Sequence, residues 1–91
     1  MIFGGGPSLR DIDDFSIALI DDRIGGALEA GVVDMDRFYD MLDDMASYAS
    51  EHGLGTWKTS RMLGNLEMFL SQAVGSNERT RLLSAAREHL N

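Results

Sequence analysis

The feature that most constrains the fold of this chain is a helical pattern between residues 35 and 52. Residues suited to a buried face recur there in steps of three and four, at Met35, Phe38, Leu42, Met45, Ala49 and His52. That spacing puts them on one side of an α-helix, as in helical bundles and coiled coils. The opposite side is acidic, with Asp36, Asp40, Asp43, Asp44 and Glu51. The pattern predicts an amphipathic helix, capped by Asp34, with one face buried and the other in water.

Three other segments carry helical patterns of their own. The first spans residues 9–30, with Ser8 as N-cap and Asp11 completing a capping box. We expect this helix to bend or break at Gly25-Gly26, because glycine weakens a helix interior. The other two are predicted to run from a cap at Thr56 or Thr59 to about Val74, and from a cap at Ser76 or Asn77 to about Leu90. No segment has the alternation of a strand, so we predict an all-α fold: a small bundle of three to four amphipathic helices joined by short Gly-containing turns.

The length of the chain predicts one domain. It has 91 residues, which we divide into a flexible N-terminal segment over 1–7 and a single helical domain over 8–91. There is no cysteine, and therefore neither a disulfide nor a thiolate metal site. The N-terminus does not resemble a signal peptide, and no apolar run approaches the roughly 20 residues that span a bilayer. These features favour a cytoplasmic location.

The acidic residues are concentrated in the first half of the chain. Residues 1–50 hold eleven Asp and Glu against three Arg, residues 51–91 hold four acids against five bases, and the formal net charge is −7. Repulsion from anionic lipid and from the phosphate backbone disfavours direct binding to membranes or nucleic acid. The imbalance favours a protein partner with a basic surface.

The candidate partner-binding residues are acids of the first two predicted helices: Asp14, Asp21, Asp22, Asp36, Asp40, Asp43 and Asp44. If both helices contribute to one strip, neighbouring carboxylates lie about 5–6 Å apart, a scale comparable to that of backbone phosphates. Such a strip would mimic nucleic acid in the basic groove of a nuclease, polymerase or repressor. Two other interpretations remain open: a face that only keeps the chain in solution, and weak binding of divalent cations.

No arrangement of residues predicts a catalytic or metal centre. The segment that starts at Asp34 fails as an EF-hand, because Phe38 occupies a ligand position and Tyr39 the place of the required glycine. His52 and His89 have neither an obvious nucleophile nor metal-binding partners nearby. We therefore predict a protein that is not an enzyme and that has no cofactor and no bound metal.

A second group of candidates could form an apolar interface: Met41, Tyr48, Trp57 and Met68. Methionines beside the main apolar faces suit a surface that packs against another copy of the chain, as a homodimer or a higher homo-oligomer. A wider bundle core would account for the same methionines. Trp57 is either an interface anchor beside Lys58 and Arg61 or a cover over Leu54 in the preceding turn.

The function predicted from these patterns is that of a small acidic interaction factor. It would bind a basic surface of a partner protein and block or chaperone that partner. Its size, acidity and helical content resemble those of many phage-encoded inhibitors, bacteriocin immunity proteins and secretion chaperones, although no motif matches any one of them. The alternative is a self-assembling structural or adaptor protein, or a secretion-type chaperone, that acts through its apolar Met/aromatic face.

Overall fold

The computed structural model describes residues 6–90, and all regular secondary structure in that range is α-helical. Five helices follow one another: α1 (Leu9–Ile24), α2 (Ala27–Ala30), α3 (Met35–Glu51), α4 (Thr56–Ala73) and α5 (Ser76–Leu90). The predicted all-α class is confirmed. The predicted number of helices is too low, because the first predicted helix divides into α1 and the single turn α2.

The predicted flexible segment 1–7 lies mostly outside the described residues, which begin at Gly6. Pro7 is described, and its carbonyl oxygen accepts a hydrogen bond of 2.9 Å from Nζ of Lys58 in α4. The chain is therefore in contact with the bundle one residue before the cap of α1.

Two helices begin at the caps that the sequence predicts. Ser8 Oγ accepts a hydrogen bond from the Asp11 N–H (3.2 Å), and the Asp11 carboxylate accepts one from the Ser8 N–H (3.0 Å), which completes a capping box. At the start of α3, Asp34 Oδ1 accepts from the N–H groups of Asp36 and Arg37.

The starts of the later helices differ from the prediction. Gly55 is the N-cap residue of α4 and makes no side-chain hydrogen bond, so Thr56 is the first helical residue and not the cap. Ser76 is likewise the first residue of α5, and the Gly75 carbonyl accepts from the Arg79 N–H at 2.9 Å. Glycine replaces a polar cap at little cost in stability, because water can satisfy the free N–H groups.

The expected break at Gly25-Gly26 occurs, and a side chain from α3 supports it. The Arg37 guanidinium donates to the carbonyl oxygens of Arg23 and of Asp22, the latter at 2.9 Å. Carbonyls at the end of a helix lack helical donors, and a cation beside them interacts favourably with the helix dipole. Gly31 then ends α2 in the left-handed conformation, with φ of 74°.

The four long helices form two hairpins that pack against each other. One hairpin is α1 with α3 and the other is α4 with α5; across the bundle, α1 packs on α4 and α3 on α5. Within the first hairpin the helices are antiparallel, since Arg37 near the start of α3 binds the end of α1. Tyr48 near the end of α3 stacks on Phe15, earlier in α1, with ring centroids 3.9 Å apart. Within residues 6–90 no helix is long and apolar enough to cross a membrane.

The apolar seam predicted for α3 faces the core of this bundle. Phe38, Leu42 and Met45 are fully buried, Met35 and Ala49 are partly buried, and His52 is exposed at the end of the helix. The α4 pattern behaves in the same way, with Met62, Leu66 and Leu70 fully buried.

The prediction that Met41 belongs to an apolar interface is wrong. The Met41 side chain is 0% exposed, so it is a core residue and not part of an apolar surface. The reason is that α3 packs against both α1 and α5, which makes its buried face wider than a single seam. Methionine fits such irregular core space well.

Candidate functional site

An open groove lies between α1 and α4 on the outside of the bundle. The two helices run parallel, because Asp13 and Ser16 of α1 contact Arg61 and Asn65 of α4 in the same order. The groove has a volume of about 510 Å³, and two turns of each helix line it: Asp14, Ile17, Ala18, Ile20, Asp21, Asn65, Met68, Phe69 and Gln72. We refer to it as the α1–α4 groove.

Exposed apolar side chains form the centre of the α1–α4 groove. Ile17 of α1 is 56% exposed and Met68 of α4 is 66% exposed. Beneath them, Ile20 is buried and Phe69 is partly buried against the core. Single exposed apolar residues are common, but two of them in one concave site offer area that a partner can remove from water.

One edge of the α1–α4 groove is acidic and the other is uncharged. Asp14 and Asp21 on α1 are both exposed, and neither forms an ion pair with another described residue. They are two helical turns apart, roughly 10.5 Å along the helix axis. On α4 the corresponding positions are the amides Asn65 and Gln72. The negative potential is therefore confined to the α1 edge.

A polar cluster fixes the position of α1 against α4. The Arg61 guanidinium donates two hydrogen bonds to the Asp13 carboxylate, at 2.8 and 2.7 Å, and Asn65 Nδ2 donates a third at 2.9 Å. The hydrogen bond from Arg61, and to a smaller extent that from Asn65, lowers the pKa of Asp13 from 3.8 to about 2. The same hydrogen bonds to Asp13 raise the pKa of Arg61. The pair is therefore charged at neutral pH.

Ser16 connects this cluster to the core. Its side chain is fully buried, and its Oγ donates to the Ile12 carbonyl (2.7 Å) and accepts from Asn65 Nδ2 (2.8 Å). A buried hydroxyl is tolerated only when it is hydrogen-bonded, so the side chains of Ser16 and Asn65 hold each other in place. Because Asn65 also lines the α1–α4 groove, this end of the groove is preformed, which lowers the entropic cost of binding.

The seven predicted acidic candidates do not form one continuous strip. Arg23 lies between the acids of α1 and those of α3, with contacts of 3.2 Å to Asp22 and 2.6 Å to Asp44. Asp43 faces the opposite flank of α3, where it contacts His89 of α5 at 2.7 Å. Three of the candidates are thus engaged within the chain.

The other four candidates form two separate pairs. Asp14 and Asp21 border the α1–α4 groove, whereas Asp36 and Asp40 are exposed on α3, one turn apart and without an ion pair among the described residues. Of the two pairs, only the first borders a groove with exposed apolar side chains.

The predicted apolar candidates are also dispersed. Tyr48 is partly buried, stacked on Phe15 and 4.5 Å from the His52 ring. Trp57 is 68% exposed on the first turn of α4. Met68 alone lies in the α1–α4 groove.

Ile17 was not among the candidates predicted from the sequence, although a signal was present. Ile17 follows Asp14 by three residues and precedes Asp21 by four, so all three share one helical face. The contribution of Asn65 and Gln72 had no such signal, because it depends on which helix packs against α1.

Comparison of the chain with known protein families, with curated proteins and with solved structures finds no match.

Among residues 6–90, no three Asp, Glu or His side chains are grouped in a way that could hold a metal ion. The geometry that remains, a preformed apolar groove with one acidic edge, suits the docking of another molecule.

Proposed function

We propose that this protein is a small acidic interaction factor that binds a basic surface of a partner protein and blocks or chaperones it, without catalysing a reaction. The observation that carries the proposal is the α1–α4 groove, in which Ile17 and Met68 are exposed beside Asp14 and Asp21, whose carboxylates form no ion pair within residues 6–90. An apolar centre with a polar rim is the usual anatomy of a protein–protein interface. The expected place of action is the cytoplasm.

Charge and apolar area contribute to different steps of binding. The net charge of −7 attracts a basic partner and accelerates the encounter. Burial of Ile17 and Met68 then sets how long the complex lasts, because differences in affinity between related complexes lie mostly in the dissociation rate.

A nucleic-acid-binding protein is one class of basic partner. Asp36 and Asp40 lie one turn apart on α3, so their Cβ atoms are about 6 Å apart and their carboxylates can occupy sites for neighbouring phosphates. Inhibition of such a partner is an activity suited to a protein encoded by a phage or a mobile element.

Affinity capture at two salt concentrations tests the proposed function. The tagged protein is incubated with lysate of its native host, and captured proteins are identified by mass spectrometry. We expect a partner with a basic surface that is retained at low salt and lost at high salt, because the Debye length falls from about 10 Å at 0.1 M to about 3 Å at 1 M. Capture of nothing but copies of the same chain would contradict the proposal.

Acid-to-amide variants identify the surface that is used. Asp14→Asn with Asp21→Asn removes the charge of the groove edge, and Asp36→Asn with Asp40→Asn removes the same charge from α3. If capture falls with both double variants to the same small extent, only overall charge matters, and neither surface is a specific binding site.

Self-association is the second candidate function, and the exposed side chains of α4 favour it. Trp57 is 68% exposed and Met68 is 66% exposed. They lie on the same helical face, separated by three turns or roughly 16.5 Å. A protein that assembles through this face would act as an adaptor or as a secretion-type chaperone. Salt-resistant dimers in sedimentation experiments, abolished by Met68→Lys, would favour this candidate.

A further inference from the structure

We infer that the α1–α4 groove accepts one amphipathic helix of a basic partner. The apolar face of that helix would cover Ile17 and Met68, and its basic residues would line up along α1 beside Asp14 and Asp21. The inference rests on the proposed function and adds to it the secondary structure of the partner segment and the edge on which its charges lie.

The spacing of the groove residues matches one face of a helix. Asp14 and Asp21 are two turns apart, and a partner helix with Lys or Arg at positions i and i+7 repeats the same interval of roughly 10.5 Å. Between these bases, apolar residues at i+3 and i+4 would face Ile17 and Met68. Two parallel helices at the wall of a bundle present ridges and grooves that accept a third helix.

The two edges of the groove select different residues on the partner. The α1 edge holds two carboxylates that have no ion-pair partner in the described part of the chain, and the α4 edge holds the amide of Gln72 and the amide of Asn65, which is already hydrogen-bonded to α1. A partner helix with bases on one flank and neutral polar residues on the other is therefore complementary to both edges of the groove. An acidic flank would be repelled by the carboxylates of the α1 edge.

A second copy of this chain is a poor occupant. Its net charge is −7, so two copies repel each other. The helix with the largest number of Arg and Lys residues is α5, but there Arg81 is paired with Glu78 at 2.6 Å, and the apolar face with Leu82 and Ala86 is buried in its own core. That helix would have to leave the bundle to dock elsewhere.

A synthetic peptide tests the inference directly. The probe has about 18 residues, or five helical turns, with Leu on one face, Lys along one flank and Gln along the other. Binding to the full-length protein is followed by NMR, through the methyl resonances of Ile17 and Met68. We expect these resonances to shift on titration, and a peptide with Glu in place of Lys to leave them unchanged.

A matched pair of charge reversals separates groove binding from general attraction. Asp14→Lys with Asp21→Lys and Asp36→Lys with Asp40→Lys change the net charge equally, and all four positions are exposed and helical. We expect the groove variant to raise the peptide Kd about tenfold or more, equivalent to about 1.4 kcal/mol. The α3 variant should change it by less than about threefold, because only the screened long-range attraction is lost.

Several results would overturn the inference. They are the absence of binding, equal sensitivity to the two variants, and shifts confined to residues around Asp36 and Asp40. The inference would also be overturned if a second copy of the chain already covers the groove. This would be observed as a dimer that Ile17→Lys dissociates. These outcomes leave the proposed function intact if a basic partner is captured from lysate, whereas peptide binding without any such partner would contradict the proposed function and show only that the groove can accept a basic amphipathic helix.

Discussion

Asp13 of α1 and Arg61 of α4 form a two-pronged ion pair, with N–O distances of 2.8 and 2.7 Å, between two helices that are separated in the sequence by α2 and α3. The fork of a guanidinium matches a carboxylate in only a few orientations, so the pair fixes position as well as distance. The next residue along α1 is Asp14, at the edge of the α1–α4 groove. The ion pair therefore sets the register of the two groove walls.

This ion pair gives the protein a specific response to acid. Folding lowers the pKa of Asp13 from 3.8 to about 2, chiefly through the hydrogen bond from Arg61. A depressed pKa means that the carboxylate stabilises the folded state above about pH 4, and that the contribution is lost as the pH falls towards about 2. We expect Asp13→Asn to be less stable than the wild type at neutral pH, by a difference that shrinks through this range.

Urea unfolding at a series of pH values measures this difference in free energy, and an NMR titration gives the pKa of the Asp13 carboxyl directly. Asp36→Asn is the control, because Asp36 makes no ion pair among the described residues. A titration midpoint near 3.8 for Asp13 would show that the ion pair does not form in solution.

Met41 and Met68 undergo the same substitution in opposite environments. Met41 is 0% exposed and Met68 is 66% exposed. We expect Met41→Ala to lower the free energy of unfolding by about 2–5 kcal/mol, because it leaves a cavity in the core. Met68→Ala should change it by less than about 0.5 kcal/mol. Thermal and urea unfolding measure both values, and equal effects would mean that α3 is not packed as described.

The features predicted correctly from the sequence are those that depend on residues close together along the chain. The seam of α3 and the caps at Ser8 and Asp34 involve residues within about one turn of each other, so their spacing alone identifies them. The break at Gly25-Gly26 was expected from helix propensity for the same reason.

What could not be predicted depends on which helices pack together. Met41 is buried because α1 covers that side of α3, as the contacts of Asp44 and Tyr48 on the same helical face show. Arg37 binds the carbonyls at the end of α1, fourteen and fifteen residues earlier in the chain. The α1–α4 groove likewise exists only because α1 packs against α4, and for that reason no role was predicted for Ile17. Three acids were predicted to bind a partner although they already contact Arg23 or His89 within the chain.

Two glycines should respond oppositely to replacement by alanine. Gly31 has φ of 74°, a conformation in which a Cβ atom is strained, so Gly31→Ala should lower the free energy of unfolding by about 1 kcal/mol. Gly64 lies inside α4, and a Cβ atom there would meet nothing within 4 Å. Gly64→Ala should therefore raise the free energy of unfolding by about 0.5–1 kcal/mol. Urea unfolding of the two variants checks both signs, and a destabilised Gly64→Ala would mean that this face of α4 is covered in solution.

The fluorescence of Trp57 distinguishes the two candidate functions without knowledge of a partner. Trp57 is the one tryptophan of the chain and is 68% exposed, so its emission should be that of an indole in water and should be quenched efficiently by acrylamide. An acidic interaction factor stays monomeric at rising concentration, so neither the emission nor the quenching should change. Self-association through Trp57 and Met68 would instead move the emission to shorter wavelength and protect the indole, because burial removes it from water. Met68→Lys serves as the control, since it should reverse such a change by placing a charge in the shared interface, while a change that survives this variant would locate the contact elsewhere on the protein.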